Sequence, residues 1–422
     1  MPTRSHSFLT NLMAMEEKMR RERISNLFFY PFIGDVEMTL LENGQRDYYP
    51  SGKIVERLKM PANHDHILIP FEKNLSGDPK FGDANLEGTG EELDYMWLNA
   101  YINQMSHVVV KKKGNMDKLR DDRLLKLYLR AQRALTNWFV RWGNANFISA
   151  LYEGHSWSLT AGITESVNGI GVSGKYHPNL YYNLVSASDG SGSITAIGTE
   201  GKNKTSSEII AKVETDYSNM TLPSTYFFEA LAVLCESRFI DRAVDHNGRK
   251  MWLLVMSRED YKNCMKQSDF RNTVKEAFSG KGFDSPLASL EAFVYSDFFI
   301  VLNNTATRKW DSDTNDFRGD NGYFGLPTYN TSYNNNVMTV LGKGALGYAV
   351  DSENDLHFET ENYNFKQQSE IAGMVIDGIT RADFVDNDDR TNYFATGNSS
   401  RTILSTAYSA TNQSSLQVVV KA

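Results

Sequence analysis

The glycine-rich segment at residues 342–347 is the first place where residue types and spacing could do chemistry. Gly342, Gly344 and Gly347 match the GxGxxG pattern of dinucleotide-binding loops. In those loops a helix follows the glycines, and its N-terminal amides and dipole hold the pyrophosphate. Here residues 350–355 (VDSEND) have the composition of a turn. The segment therefore predicts a tight turn, and a nucleotide-dependent oxidoreductase is kept as an alternative.

Two other patterns could bind metal ions. Residues 311–315 (DSDTN) are similar to the start of a calcium-binding loop. However, Asp316 stands where such a loop needs glycine, and Gly322 stands where it needs a bidentate glutamate. His64 and His66 alternate in a predicted strand, so both could face one side, but no third ligand accompanies them. We therefore expect no metal and no cofactor.

The composition narrows the function classes further. A nucleophile elbow, a zinc-peptidase motif and a Walker loop are all missing from the sequence. Two cysteines, Cys235 and Cys264, are too few for a disulfide scaffold or a four-cysteine zinc site, so we expect both in the core. The net charge of −8 argues against wrapping nucleic acid as the main task. No run approaches the roughly 20 apolar residues of a membrane helix, so no membrane partner is expected.

Five basic residues remain as candidates for function. Lys111, Lys112 and Lys113 end a strand-like run. Arg130 and Arg133 belong to a predicted helix, on the side away from its apolar stripe. Such residues could contact the phosphates of DNA, form salt bridges between subunits, or belong to a solvated helix face. We predict that these five residues face either neighbouring subunits or DNA, and we predict no catalytic residue.

A long helix over residues 117–153 positions the two arginines. Its apolar residues are spaced alternately four and three apart, which predicts one continuous buried face. About 30 residues at 1.5 Å each give a rod of roughly 45 Å, far longer than an average globular helix. The residues of the stripe are Leu124, Tyr128, Ala131, Leu135, Trp138 and Trp142.

A long hairpin is predicted before this helix. Residues 67–69 and 95–112 favour strands, and the polar tract 75–90 between them contains several glycines. Residues 1–60 precede the hairpin and have the character of an extended or partly helical arm. The two runs therefore predict the two strands of a long hairpin, joined at a polar tip.

The second half of the chain mixes helices and strands. A helix is predicted over residues 226–239, opened by Ser224 or Thr225, and a buried strand over 251–256. A further helix starts at Ser257 or Asp260 and ends near Phe278. Later strands are predicted at residues 291–302, as a pair or one long strand, and at 337–341 and 345–350, while 155–224 and 311–336 are polar insertions. Without strict alternation of strands and helices, the fold class is α+β.

The order of these elements resembles the Hong Kong 97-type fold of tailed-phage major capsid proteins. Local segments are similar to one branch of that family, spread over most of residues 67–385. They are residues 91–94 (EELD), 106–110 (SHVVV), 115–117 (NMD), 130–138 (RAQRALTNW), 147–154 (FISALYEG), 252–261 (WLLVMSREDY), 280–300 and 341–349.

The resemblance implies a division of the chain into named parts. Residues 1–60 would be the N-terminal arm and residues 61–113 the E-loop hairpin. Residues 114–224 would be the P-domain, with the spine helix and a polar insertion. Residues 225–344 would be the A-domain, and residues 345–422 would return to the P-domain and end in a C-terminal tail.

The resemblance also implies a function. Such a chain assembles with copies of itself, as hexamers and pentamers, into the icosahedral head of a tailed bacteriophage. The head would enclose double-stranded DNA without sequence specificity, with a portal and possible scaffold or decoration proteins as further partners. The chain would be part of the virion capsid, assembled in the bacterial host cytoplasm. The alternatives are an encapsulin-like nanocompartment shell, a tail or portal-associated structural protein, and the oxidoreductase considered above.

Overall fold

The computed structural model describes the chain in segments. They are residues 18–19, 21–40, 46–60, 66–72, 95–111, 121–153, 170–171, 177, 179–196, 219–246, 248–272, 292–302, 309–311, 316–318, 335–351, 356–363, 368–385, 401–402, 410–411 and 414–421.

The elements within these segments are helices and strands in mixed order. The helices are α1 (Asp121–Glu153), α2 (Thr225–Ser237) and α3 (Arg258–Lys266), with a 3-10 helix at Tyr30–Phe32 and helical turns within residues 18–25 and 268–272. The strands are β1 (Ile33–Asp35), β2 (Glu37–Leu40), β3 (Arg46–Tyr49), β4 (Val55–Met60), β5 (His66–Glu72), β6 (Tyr95–Tyr101), β7 (Asn103–Lys111), β8 (Ile170–Gly171), β9 (Leu180–Asn183), β10 (Ile194–Ala196), β11 (Val244–His246), β12 (Arg249–Met256), β13 (Ala292–Tyr295), β14 (Phe298–Leu302), β15 (Lys309–Asp311), β16 (Asp316–Arg318), β17 (Asn335–Leu341), β18 (Leu346–Asp351), β19 (His357–Tyr363), β20 (Gln368–Arg381), β21 (Phe384–Val385), β22 (Arg401–Thr402), β23 (Ala410–Thr411) and β24 (Ser415–Lys421).

A six-stranded sheet forms the first layer. Its order is β1-β4-β18-β20-β19, and β7 pairs with the long strand β20 as well. β4 lies parallel to β1 and β18, whereas β20 lies antiparallel to β7, β18 and β19. Helix α1 crosses this sheet, and its Leu135 and Phe139 pack in one cluster with Phe358, Ile371 and Val375. The long helix therefore packs on strands from the C-terminal part of the chain.

Helix α1 is described over Asp121–Glu153, so its end agrees with the prediction, whereas the predicted start at residues 117–120 lies outside the described residues. On its predicted stripe, Leu135 is fully buried, but Trp138 is half-buried and stacks on His107 with ring centroids 4.3 Å apart. The fully buried aromatic ring is that of Phe139, which the predicted stripe omits. Leu135 and Phe139 are four positions apart, so both lie on one helical face.

An eight-stranded sheet forms the second layer, in the order β10-β9-β24-β17-β12-β14-β13, with β11 paired to β12. Its strand β12 is covered on both faces, as predicted for residues 251–256. Trp252 and Leu254 pack in a cluster with α2 and α3, while Leu253 and Val255 pack in a second cluster on the other face. That second cluster also contains the C-terminal part of α1, so α1 contributes to the cores of both sheets.

The helices of this layer start at the predicted capping residues. The side chain of Ser224 accepts a hydrogen bond from the amide of Phe227 and caps α2. Ser257 and Asp260 form a reciprocal capping box at the start of α3. The predicted continuation of α3 toward Phe278 is interrupted at Gln267, whose backbone is extended, and residues 273–278 lie outside the described part.

The predicted hairpin is present, but its second strand is divided. β5 pairs with β6 over seven positions, from His66 with Tyr101 to Glu72 with Tyr95. The strand is broken at Ile102, which is buried, and β7 then pairs with β20 in the six-stranded sheet. The run predicted as one strand over residues 95–112 therefore serves two sheets.

Both ends of the described chain are packed into the subunit. In the N-terminal segment Leu27 and Phe29 are buried, and β1 and β4 are strands of the six-stranded sheet. Near the C-terminus, β24 lies between β9 and β17 in the eight-stranded sheet. The division at residue 344 between the two predicted domains stays a prediction, and residues 345–422 supply strands to both sheets.

Candidate functional site

The glycine-rich segment at residues 342–347 is a tight turn between β17 and β18, as predicted. A strand follows it directly, so a helix N-terminus does not follow the glycines, and the dinucleotide-site alternative is not favoured. The amide of Gly344 donates to the carbonyl of Lys53 over 2.7 Å. A β-carbon at Gly342 would lie 2.5 Å from the carbonyl oxygen of Asp241, so this turn requires glycine for a close approach of the backbone. The segment joins the two sheets.

The predicted metal patterns fall mostly outside the described residues. This applies to His64, to residues 312–315, and to the side chain of His66 at the start of β5. Within the described segments, no group of three or more His, Cys, Asp and Glu side chains is placed to hold a metal ion. Cys235 and Cys264 are buried, as predicted, and burial raises the pKa of both thiols, so neither forms a thiolate readily.

A membrane-crossing helix was not expected from the sequence. Among the helices of the described ranges, none is both long and apolar enough to cross a membrane.

The five basic residues predicted to face DNA or neighbouring subunits are described in part. Arg130 and Arg133 are exposed on α1, on the side away from Leu135 and Phe139. Lys111 is the last residue of β7, and its side chain is not described. The remaining two lysines lie outside the described residues. The exposure of the arginines agrees with their predicted position on the helix, and their role stays a prediction.

The six-stranded sheet has one face under α1 and one face that is partly open. Along β7, Met105 and Val109 pack in the cluster beneath α1. The alternate residues Val108 and Val110 point to the other face and are exposed. Exposed neighbouring apolar side chains are typical of surfaces that contact other proteins. This face is therefore a candidate contact surface.

The C-terminal end of α1 is held by side chains that sequence reasoning missed. Arg381 donates to the carbonyl of Leu151 over 2.8 Å, and Gln417 donates to the same carbonyl over 3.1 Å. Asp383 balances the guanidinium, with 2.6 Å between Nη2 and Oδ2. A cation also suits the negative end of the helix dipole. Because Arg381 belongs to β20 and Gln417 to β24, this joint ties α1 to both sheets.

A buried ion pair fastens the N-terminal segment to β20. Nη2 of Arg23 lies 2.6 Å from Oδ2 of Asp377, and both side chains are almost completely buried. A buried charge that loses its partner is strongly destabilising. The available signal in the sequence was Asp377, a charged residue within the otherwise apolar run 371–379 of β20. The pair holds residues near 23 as part of the subunit core.

A buried carboxylate organises the turn before β4. Glu56 accepts hydrogen bonds from the amide of Ser51 at 2.7 Å, from the Ser51 hydroxyl at 2.7 Å and from the amide of Gly52 at 2.9 Å. Burial raises the pKa of Glu56, and these donors act against that rise. These hydrogen-bond donors belong to one turn, and the charge of Lys343 also favours the carboxylate, so Glu56 has a structural role.

These features suit a subunit that acts by contact with other protein chains. Buried contacts hold its elements together, one sheet face is partly open, and charged residues are exposed. The sequence model of the family described as phage capsid protein matches residues 50–409. No curated protein sequence matches the chain.

Solved capsid structures share the fold. The capsid of Ralstonia phage GP4 is 14% identical with a TM-score of 0.54, covering 94% of this chain and 91% of that chain. The Cyanophage Pam1 capsid is 12% identical with a TM-score of 0.52, covering 93% of this chain and 91% of that one. The head of Helicobacter pylori bacteriophage KHP40 is 12% identical with a TM-score of 0.50 and the same coverages. At such identities the likeness concerns the fold.

The chain belongs to the phage capsid protein family. It is a major capsid protein that forms the phage head, a structural protein of the virion and not an enzyme. The α+β class and the family resemblance found in the sequence are confirmed. The nanocompartment and oxidoreductase alternatives are not favoured.

Proposed function

We propose that the chain assembles, as hexamers and pentamers of itself, into the icosahedral head of a tailed bacteriophage that encloses double-stranded DNA. The observation that carries this proposal is the family match over residues 50–409 of a chain whose fold is shared with solved phage capsids. A closed shell of one protein requires many contacts between copies arranged by symmetry. Assembly takes place in the bacterial host cytoplasm, with a portal and scaffold or decoration proteins as further partners.

We propose the same division of the chain as the sequence implies, with one extension. Residues 1–60 are the N-terminal arm, residues 61–113 the E-loop hairpin and residues 114–224 the P-domain. Residues 225–344 are the A-domain, and residues 345–422 return to the P-domain except for the C-terminal strand β24. The pairing of β24 with β17 supports adding the C-terminal strand to the A-domain, because β17 and β12 belong to one sheet.

The basic residues are proposed to face packaged DNA or a neighbouring subunit, without sequence specificity. The exposure of Arg130 and Arg133 on the outer side of α1 supports this role. Lys111, Lys112 and Lys113 would add three further positive charges at the end of β7. Contacts of this kind weaken as salt rises, because the charges are screened and counterions compete for phosphates.

Electron microscopy of particles from expressing cells tests the head assignment. Closed shells that contain DNA in phage-producing cells support it. Shells that contain an enzyme cargo without DNA favour the nanocompartment, and failure to form any shell refutes both readings.

Charge reversal on α1 separates the two roles of the arginines. If Arg130→Glu and Arg133→Glu reduce DNA-filled particles but not empty shells, the arginines face DNA. Loss of empty shells as well indicates a contact between subunits. Lys250→Glu, at an exposed lysine of the other sheet, is the matched control for the charge change. Variants that behave like this control in both assays refute the assignment.

A further inference from the structure

Phe239, which follows helix α2 directly, has a backbone conformation that is energetically unfavourable for phenylalanine. Its φ of 54° lies in the left-handed region, where a β-carbon is crowded and glycine is usual. Its amide donates to the carbonyl of Glu236, and the amide of Ile240 donates to the carbonyl of Cys235, so the residue terminates the helix. Its side chain is 77% exposed. Phenylalanine here strains the backbone, and most of its side chain is exposed.

An apolar stripe on α2 leads up to Phe239. Tyr226 is 40% exposed and Val233 is 66% exposed. They are seven residues apart, which is about two helical turns, so they share one face. Glu229 and Glu236 are exposed along the same side of the helix, but Glu236 is paired with Arg242 at 3.0 Å, so Glu229 supplies the acidic flank of the stripe. The opposite side of α2 packs on the sheet through Phe227, Phe228, Leu231 and Cys235.

The neighbouring helix α3 carries the opposite charge. Arg258, Lys262 and Lys266 are all exposed and repeat every four residues, so they form a basic stripe. Both helices cover the same face of the eight-stranded sheet, and Phe228 stacks on Phe270, just beyond α3, at 5.6 Å. One layer of the subunit therefore offers an apolar stripe with an acidic flank beside a basic stripe.

We propose that the exposed side of α2 in one copy docks on α3 of a neighbouring copy in the shell. Phe239 is the apolar anchor of this contact, and Glu229 lies opposite Lys262. The inference rests on the proposed self-assembly, which supplies the second copy. A second copy of the chain is the expected partner, because each copy carries both the acidic flank on α2 and the basic stripe on α3, and these charges are complementary. Aromatic residues desolvated at the centre of an interface carry much of its binding energy, which offsets the strain at Phe239.

The first test exploits opposite effects on folding and on assembly. Phe239→Gly relieves the backbone strain, so the melting temperature of the free subunit should rise by about 2 °C. The same change removes the anchor, so particle yield from purified protein should fall about tenfold. Tyr30→Gly, at another exposed aromatic residue outside this layer, is the control and should leave yield unchanged. A lower melting temperature, or unchanged yield, for Phe239→Gly overturns the proposal.

The second test reverses charges in pairs. Glu229→Lys and Lys262→Glu should each reduce particle yield, and the double variant should recover most of it. Glu229→Lys combined with Lys250→Glu has the same net charge and should recover nothing. If the double variant does not recover particle yield, the α2–α3 contact is refuted. It is also refuted if the single variants assemble normally but no longer bind a decoration or scaffold protein. If wild-type protein forms no particles under these conditions, the proposed function itself fails, and the contact with it.

Discussion

Replacing Gly373 by alanine tests how α1 packs on the six-stranded sheet. A β-carbon at Gly373 would lie 2.6 Å from Cε2 of Phe139, and the ring of Phe139 is fully buried. Atoms at that distance overlap, so the ring or the helix must move. Overpacking a core in this way typically costs about 1–3 kcal/mol. The new carbon also contacts Phe358, so we expect a cost in the upper half of this range.

A smaller residue at position 139 should relieve the overlap. Phe139→Leu alone loses ring contacts and should cost roughly 1–2 kcal/mol, less than truncation to alanine. In the double variant the β-carbon of residue 373 occupies part of the vacated space. The double variant should therefore be more stable than the sum of the single effects, by about 0.5–2 kcal/mol.

Urea unfolding of unassembled subunits, followed by far-UV circular dichroism, measures these free energies. Protein concentration is kept below the level at which particles form, so that assembly does not add to stability. Arg133→Glu, on the exposed side of α1, is the control and should change stability by less than about 0.5 kcal/mol. Gly373→Ala with wild-type stability, or strictly additive energies in the double variant, would show that α1 does not cross the sheet above Gly373.

Three further predictions concern other parts of the subunit. Trp138→Ala should lower the stability of the subunit less than Phe139→Ala does, because Trp138 is half-buried and Phe139 is fully buried. The melting temperatures of the two variants check this order, and the reverse order contradicts the assigned face of α1. Leu254→Asp places an unpaired charge in a fully buried strand and should abolish soluble subunit, whereas a soluble, assembling variant would mean that β12 is exposed. A hydrogen bond from Arg57 lowers the pKa of Asp35 below its usual value near 3.8. The stability that the Asp35–Arg57 pair contributes is present above pH 3.8 and is lost as pH falls through the lowered pKa of Asp35. Asp35→Asn should therefore make the melting temperature fall less steeply at acid pH. If the fall is as steep as in the wild type, the pair contributes nothing to stability.

Much of the local structure follows from the sequence, because the signals are local. The four-and-three spacing of apolar residues predicts α1, and the run at residues 251–256 predicts a strand buried on both faces. Ser224 and Ser257 mark the starts of α2 and α3 through their capping side chains. The same periodicity places Arg130 and Arg133 on the exposed side of α1, so part of the candidate surface was predictable from spacing alone.

Other features depend on residues far apart in the chain. Arg23 and Asp377 are separated by 354 positions, and neither has a local pattern that names the other as its partner. The break at Ile102 arises because β7 finds its partner in β20, beyond the end of the hairpin. The position of β24 beside β9 and β17 likewise joins segments from three parts of the chain.

Burial on one helical face was also decided by tertiary packing. Spacing marks Leu135 and Trp138 as core, yet Gly373 opens room on β20 that the ring of Phe139 fills. Trp138 is left at the edge, stacked on His107. Periodicity in a sequence determines which residues share a face, because helical geometry is local. Which of them is fully enclosed depends on the shape of the opposing surface, and that surface exists only after distant strands have paired.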